Sequence, residues 1–245
     1  MRDGRAAAIV IGVGPEAGLG ARLCERFARE GLHVLAAGRT ADRVEAVAAR
    51  IRAAGGHATG VACDATREED VLRLFGAADA LAPGRLELVA FNAGNNRFTD
   101  FLGMEASFFE EVWRVSCFAG FLAGREAAKR MAPAGNGTVI FTGASASLRG
   151  RPPFGAFASA KAGLRAVAQA MAREFGPQGV HVAHVVIDGG IAGERIARYA
   201  DFVAQKGEDG LLDLDALADA WWMLHRQHRT AWTHEMDLRP FKEPF

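Results

Sequence analysis

Cysteine, which stabilises many secreted and metal-binding proteins, is scarce in this chain of 245 residues. Its three cysteines, Cys24, Cys63 and Cys117, are widely spaced and form no CxxC or Cys/His pattern, which argues against a disulfide framework and against a metal site. We therefore expect reduced, mostly buried thiols in a cytoplasmic protein. Tyrosine is rarer still, because Tyr199 is the only one in the sequence.

The chain also lacks an excess of charge of either sign, with 29 Lys and Arg against 29 Asp and Glu. A balanced charge gives no footprint for nucleic acid or for an anionic membrane. The first apolar run, from Ala6 to Val13, is too short to span a bilayer and leads directly into glycines, unlike a cleaved signal. We therefore predict no nucleic-acid or membrane partner.

Apolar segments alternate with amphipathic ones along the chain. This alternation predicts a parallel sheet covered on both faces, and right-handed crossovers make it doubly wound. The fold class is therefore α/β, a Rossmann-type sheet of about seven strands with helices on both faces. With no repeat or linker in the sequence, we predict one domain over residues 1–245, in which the more polar segment 191–210 forms a substrate lid. The predicted strands are Ala7–Val13, His33–Ala37, Ala58–Cys63, Leu86–Phe91, Thr138–Thr142 and Val180–Ile187.

A glycine-rich segment follows the first predicted strand and leads into a helix. Glycine permits a tight turn and lets the backbone approach a pyrophosphate, while the helix N-terminus offers free N–H groups. We expect Gly14, Gly18, Leu19 and Gly20 to hold a dinucleotide. An ordinary strand–helix turn is the alternative.

The spacing of Gly14, Gly18 and Gly20 resembles the glycine motif of the short-chain dehydrogenases/reductases, and further landmarks of that family follow in order over essentially the whole chain. The resemblance implies a nicotinamide cofactor, a small-molecule substrate (a carbonyl, enone or alcohol) to or from which hydride is transferred, and a homo-oligomer. In that family the subunits pair through two long helices, here near Ser107–Met131 and Phe157–Phe175. The further cofactor-binding positions that the resemblance implies are Asp64, Asn92, Ala93, Gly94, Lys161, Gly189 and Ile191.

The end of the second predicted strand bears on the choice of cofactor. NAD-selective members carry an acidic residue there, whereas this chain has Gly38 and Arg39. Gly38 leaves room for a 2′-phosphate and Arg39 can pair with it, so NADP(H) is favoured over NAD(H). A solvated Arg39 is the alternative. Many NADP-using members have a second basic residue in the glycine loop, where this chain has Ala17 with Glu16 beside it.

The catalytic pattern of the family is largely substituted. Lys161 matches the family Lys, but Phe157 stands at the Tyr position and has no proton to donate. The family Ser falls on Ala144, with Ser145 adjacent, and the family Asn falls on Ser116. Since Tyr199 lies in the predicted lid, no realignment restores the pattern.

Three interpretations of these substitutions stay open. The first is a reductase with an atypical proton donor, for which Ser145, Tyr199, Asn95 or water are candidates. The second is a cofactor-binding protein without turnover, acting as a sensor or an inactive partner subunit. The third is a lyase or isomerase, for which the sequence offers no positive evidence.

Several charged residues lie near the expected cleft. Four arginines there suit an anionic substrate such as an acyl-CoA, although solvated loop charges are the simpler interpretation. They are Arg149, Arg151, Arg195 and Arg198. Asp188 stands where the family has Pro; it is a base near the nicotinamide or, more simply, the cap of the following helix. For His181 and His184 we expect packing or surface positions, not metal ligation.

Overall fold

The structure is a computed structural model that describes residues 4–94 and 96–244. At its centre is a seven-stranded sheet in the order β3-β2-β1-β4-β5-β6-β7, and all neighbouring strands are parallel. This confirms the doubly wound α/β fold. The strands are β1 (Ala7–Ile11), β2 (His33–Gly38), β3 (His57–Ala62), β4 (Leu86–Phe91), β5 (Gly137–Thr142), β6 (Val180–Ile187) and β7 (Glu235–Leu238).

Helices cover both faces of the sheet. Apolar residues of α1, α2 and α9 pack on one face, around Phe27 and Trp221. Those of α3, α5 and α6 pack on the other, around Phe75 and Leu122. The helices are α1 (Leu19–Arg29), α2 (Ala41–Ala53), α3 (Glu68–Leu81), α4 (Ala106–Trp113), α5 (Ala119–Ala134), α6 (Gly155–Phe175), α7 (Glu194–Ala197), α8 (Ala200–Lys206) and α9 (Leu214–Arg226).

Most element boundaries lie within one or two residues of the sequence-based expectation, and two differences bear on the site. β1 ends at Ile11 and not at Val13, because Gly12 turns the chain at φ +99° and both Gly12 N and Val13 N donate to Ala37 O at 2.9 Å. The helix predicted as one stretch is interrupted by a five-residue π-helix, Arg114–Phe118, between α4 and α5. Within the described residues, none of the helices combines the length and apolarity needed to cross a membrane.

The strand order reverses between β1 and β4, because β2 lies beside β1 on one side and β5 beside β4 on the other. The connections that leave the carboxyl ends of these two strands therefore diverge to opposite faces and open a crevice. The glycine-rich turn after β1 and the residues after β4 border this crevice, which places the candidate site.

Candidate active site

The turn after β1 is built from glycines with two different tasks. A Cβ added at Gly12 would lie 2.4 Å from Ala93 N, and one at Gly20 would lie 2.7 Å from Gly12 O, so these two positions require glycine for packing. A Cβ at Gly14 would meet no atom within 4 Å, so the backbone there faces open space. Gly18 is the N-cap of α1 and supplies no side-chain cap. Open backbone before an uncapped helix N-terminus fits a pyrophosphate.

Gly38 has a different role from the one expected from the sequence. A Cβ there would lie 2.2 Å from Val13 O, so the missing side chain lets β2 approach the glycine turn. The interpretation that it leaves room for a phosphate is wrong. Arg39 follows at the surface with an exposed side chain, and it has no ion-pair partner within residues 4–94 and 96–244.

Asp64 and Asn92 both have bonds within the protein. The Asp64 carboxylate accepts from Thr66 N at 3.0 Å and from Thr66 Oγ1 at 2.8 Å, which shapes the turn into α3. Asn92 Nδ2 donates to Gly12 O at 3.3 Å, and Asn92 Oδ1 accepts from Thr142 Oγ1 at 3.2 Å. Asn92 therefore ties together the carboxyl ends of β1, β4 and β5, and contacts of either residue with a cofactor remain predictions.

Lys161 is buried, with 4% of its surface exposed. Its Nζ donates to Thr142 O at 2.7 Å, and burial lowers the pKa of the ammonium from 10.5 to about 8. A Cβ on Gly94 would lie 3.2 Å from Lys161 Nζ and 3.7 Å from Ser116 Oγ. The structure therefore brings Lys161, Ser116 and Gly94 together.

The π-helix places Ser116 beside this lysine. The Ser116 hydroxyl is fully buried and has no hydrogen-bond partner among the described residues. A buried hydroxyl without a partner is costly, and wide π turns recur at functional sites. The sequence pattern gave the position of Ser116 but no signal for the wide turn.

Phe157 fills an apolar pocket beside the lysine. Its ring is 8% exposed and packs with Val112, Cys117 and Ala160. The ring centroid lies 5.8 Å from Lys161 Nζ, a cation–π distance. Ala144 is packed against the same cluster. Phe157 and Ala144 thus carry no titratable proton themselves, and the one titratable side chain of this cluster is the buried Cys117 thiol, whose pKa is raised by burial.

The other candidate proton donors occupy separate positions along the chain. Ser145 opens a short 3₁₀ turn, Ser145–Ser147, directly after Ala144. Tyr199 is 63% exposed at the start of α8. Asn95 lies outside the described residues.

Asp188 is a buried carboxylate held by two arginines. Its oxygens lie 3.2 Å from an Arg149 nitrogen and 3.1 Å from an Arg239 nitrogen. The N-cap of α7 is Gly193, so the expectation that Asp188 caps the next helix is wrong. The reason is its burial, since a carboxylate with 4% exposure requires charged partners. Arg149 is consequently an ion-paired residue, although 35% of its side chain is exposed.

The segment after Asp188 is fixed at its start. Gly189 adopts φ +150°, and a Cβ there would lie 2.7 Å from Pro240 Cδ. Ile191 pairs with Leu212 in a parallel bridge, and Glu194 N donates to Ala17 O of the glycine turn at 2.8 Å. The predicted lid thus begins against the glycine turn. The three remaining cleft arginines, Arg151, Arg195 and Arg198, are exposed.

His184 belongs to a buried polar group that the sequence did not reveal. Its Nδ1 lies 2.9 Å from Glu235 Oε2, and Arg165 donates to both Glu235 oxygens at 2.6 Å. Burial lowers the pKa of His184 to about 4, so the imidazole is neutral and donates from Nδ1. The Arg165 guanidinium holds the pKa of Glu235 down at about 2. His181 is buried as well, and its Nε2 donates to Thr233 O, 2.9 Å away.

A protein-family model decides the membership of the chain. The model described as short chain dehydrogenase matches residues 7–195. The chain belongs to this family of oxidoreductases. Membership implies a nicotinamide dinucleotide cofactor and a small-molecule substrate, as the sequence predicted.

Individual relatives agree with this assignment. A solved short-chain dehydrogenase from Rhodopseudomonas palustris is 41% identical, with a TM-score of 0.82 over 96% of this chain and 99% of that one. The uncharacterized oxidoreductase YuxG of Bacillus subtilis is 32% identical over 191 residues, 77% of this chain, but only 28% of that protein's length is covered. D-threitol dehydrogenase of Mycolicibacterium smegmatis is 28% identical over 182 residues, 74% of this chain and 68% of that protein.

Proposed function

We propose that this protein is an NADP(H)-dependent short-chain oxidoreductase that interconverts a small carbonyl or enone and its reduced form, with Lys161 as the proton donor. The bound nicotinamide would supply or accept the hydride. The observation that carries the proposal is the buried Lys161 ammonium beside Ser116, with its pKa lowered to about 8. At neutral pH such a group is mostly protonated and still gives up its proton readily, which general acid catalysis requires.

The residues around the crevice fit the cofactor. Gly14, Gly18 and Gly20 would receive the pyrophosphate, since Gly14 is open and α1 begins uncapped. Gly189 and Ile191 follow β6 at the carboxyl edge of the sheet, on the side proposed for the nicotinamide. The exposed guanidinium of Arg39 supports NADP(H) over NAD(H), because a 2′-phosphate is a strong partner for it.

Ser116 would act together with Lys161. Lys161 Nζ uses one donor on Thr142 O and has two more N–H groups, while Ser116 Oγ has no partner among the described residues. We propose that Ser116 orients the ammonium, or a water bound to it, toward the substrate oxygen. After proton transfer, the neutral amine would be reprotonated from solvent.

One observation favours a second candidate, a cofactor-binding protein without turnover. Phe157 and Ala144 belong to one mainly apolar cluster and stand where the family has hydroxyl groups. An eroded site of this kind suits a sensor or an inactive partner subunit. Two relatives carry dehydrogenase names, D-threitol dehydrogenase and 2-dehydro-3-deoxy-D-gluconate 5-dehydrogenase, which supports turnover.

The remaining properties are part of the proposal. The groove between α5 and α6, lined by Phe121, Val167 and Met171, supports pairing of two subunits through these helices. Segment 191–210 would serve as the lid of a single domain. Arg149 carries the case for an anionic substrate, since the Arg149–Asp188–Arg239 group has one positive charge in excess. A cytoplasmic location stays a prediction.

The test begins with a titration of the purified protein with NADPH and with NADH, followed by nicotinamide fluorescence. Saturable binding is expected, tighter for NADPH. Turnover is then measured on carbonyl, enone and alcohol panels. Activity that survives Phe157→Ala and falls at least about a hundredfold in Lys161→Ala supports the proton donor. Binding without turnover supports the second candidate. In that case a triple variant, Phe157→Tyr with Ala144→Ser and Ser116→Asn, tests whether restoring the family residues creates activity.

A further inference from the structure

The glycine turn carries a carboxylate that would oppose a phosphate. Glu16 lies between Gly14 and Gly18, and its side chain is 59% exposed. A carboxylate near the 2′-phosphate of NADP(H) would weaken binding, because like charges repel. The NADP(H) preference proposed above therefore requires that Glu16 be neutralised or turned away.

Arg50 of α2 neutralises Glu16. Its Nη1 donates to Glu16 Oε2 at 2.9 Å, and its Nη2 bonds to Glu25 of α1. One guanidinium thus holds two carboxylates on the side of the turn that faces α2. The same contact establishes which face of α2 looks toward the glycine turn.

Arg43 lies on that face. Positions 43 and 50 are seven apart in α2, which corresponds to about two helical turns. Arg43 stands in the first turn of the helix, where the helix dipole disfavours a cation. Its side chain is exposed and has no ion-pair partner in the described part of the chain. Arg39 precedes the helix at the end of β2, beside the glycine turn.

We propose that α2 completes the 2′-phosphate site: Arg43 joins Arg39 as a direct ligand, and Arg50 acts as a positioning residue that keeps Glu16 away from the phosphate. This inference rests on the proposed use of NADP(H). The two direct ligands supply charge-assisted hydrogen bonds to a phosphate monoester. The basic residue that many NADP-using relatives carry in the glycine turn is thereby replaced by residues of the neighbouring helix.

The test measures dissociation constants of NADPH and NADH for the apo protein by fluorescence. Arg43→Ala should weaken NADPH binding by about tenfold and change NADH binding by less than about twofold. Arg50→Ala should weaken NADPH binding several-fold, and adding Glu16→Gln should restore it, since the liberated carboxylate is then absent. Measuring the dissociation constants of adenosine 2′,5′-bisphosphate and of adenosine 5′-monophosphate repeats the comparison with and without a 2′-phosphate, in the absence of the nicotinamide.

The matched control is Arg52→Ala. Arg52 lies on the same helix but bonds to Glu45 and to Ala58 O, on the side toward β3. Arg52→Ala should leave the dissociation constants of NADPH and NADH unchanged. Unaltered NADH binding shows that each variant is folded. An unchanged NADPH-to-NADH ratio in Arg43→Ala and Arg50→Ala would overturn the inference while the NADP(H) assignment stands. A wild-type protein that does not prefer NADPH would overturn both.

Discussion

Replacing Lys161 by methionine should make the protein more stable while abolishing its chemistry. The lysine is 4% exposed, and its pKa falls from 10.5 to about 8 on folding because burial disfavours the charge. At about 1.4 kcal/mol for each tenfold change in proton affinity, the charged form costs about 3 kcal/mol. The lost hydrogen bond to Thr142 O offsets about 1 kcal/mol of that. Lys161→Met should therefore raise the free energy of unfolding by about 2 kcal/mol at pH 7.

The gain should depend on pH with a defined sign. Between pH 8 and 10.5 the unfolded chain binds more protons at Lys161 than the folded chain does. The stability of the wild type then rises with pH in that window relative to the variant, and the gap closes. Below pH 8 the gap is fully present.

Thermal and denaturant unfolding, followed by circular dichroism at pH 7 and pH 9.5, measures both effects. Contributions of the buried cysteines cancel in the difference between the two proteins. Lys242→Met, at an exposed position, serves as the control and should show no gap at either pH. If Lys161→Met is less stable than the wild type at pH 7, or if the gap does not narrow at pH 9.5, the argument from burial is refuted.

Three further predictions follow from packing and from titration. Gly38→Ala should lower the free energy of unfolding by about 2 kcal/mol because the added Cβ meets Val13 O. Gly76→Ala in α3, with open space around the added Cβ, should raise it by about 0.5–1 kcal/mol. Denaturant titrations that give the same sign for both variants would contradict this. Burial lowers the pKa of His225 from 6.5 to about 4, so the unfolded chain binds more protons at this residue between these pH values. The stability of the protein therefore falls as pH drops through that window. His225→Leu should flatten the dependence of melting temperature on pH between 6.5 and 4, whereas His228→Leu, at an exposed position, should not. Asp188→Asn should lower the free energy of unfolding by about 3 kcal/mol because it removes the buried negative charge that pairs with Arg149 and Arg239. An effect as small as that of Glu194→Gln, in an exposed pair, would contradict this.

The sequence predicted the fold because its signals are local and repeated. Each strand before the last is a short apolar run bounded by glycine or a charged turn. The structure confirms all six: two have the predicted bounds, and the ends of the other four shift by one or two residues. The doubly wound arrangement followed from the alternation itself, since right-handed crossovers leave few arrangements.

The site was predictable only where a residue acts through its own position in the motif. Lys161, Ser116 and Phe157 were located by spacing, and the structure brings them together. The partners of Asp188 were not foreseen, because Arg149 and Arg239 are 39 and 51 residues away along the chain. Likewise, nothing in the local pattern of Gly38 distinguishes room for a ligand from room for the backbone of Val13.

The π-helix between α4 and α5 has a consequence at the level of the gene. A π turn holds one residue more than the α-helical register requires. Insertion of a single codon into a continuous helix is therefore enough to create the segment Arg114–Phe118, and loss of one codon is enough to erase it. Because each α-helical residue advances the helix by about 100°, such a deletion would swing residues on one side of it out of line with α5 and carry the Ser116 hydroxyl away from Lys161.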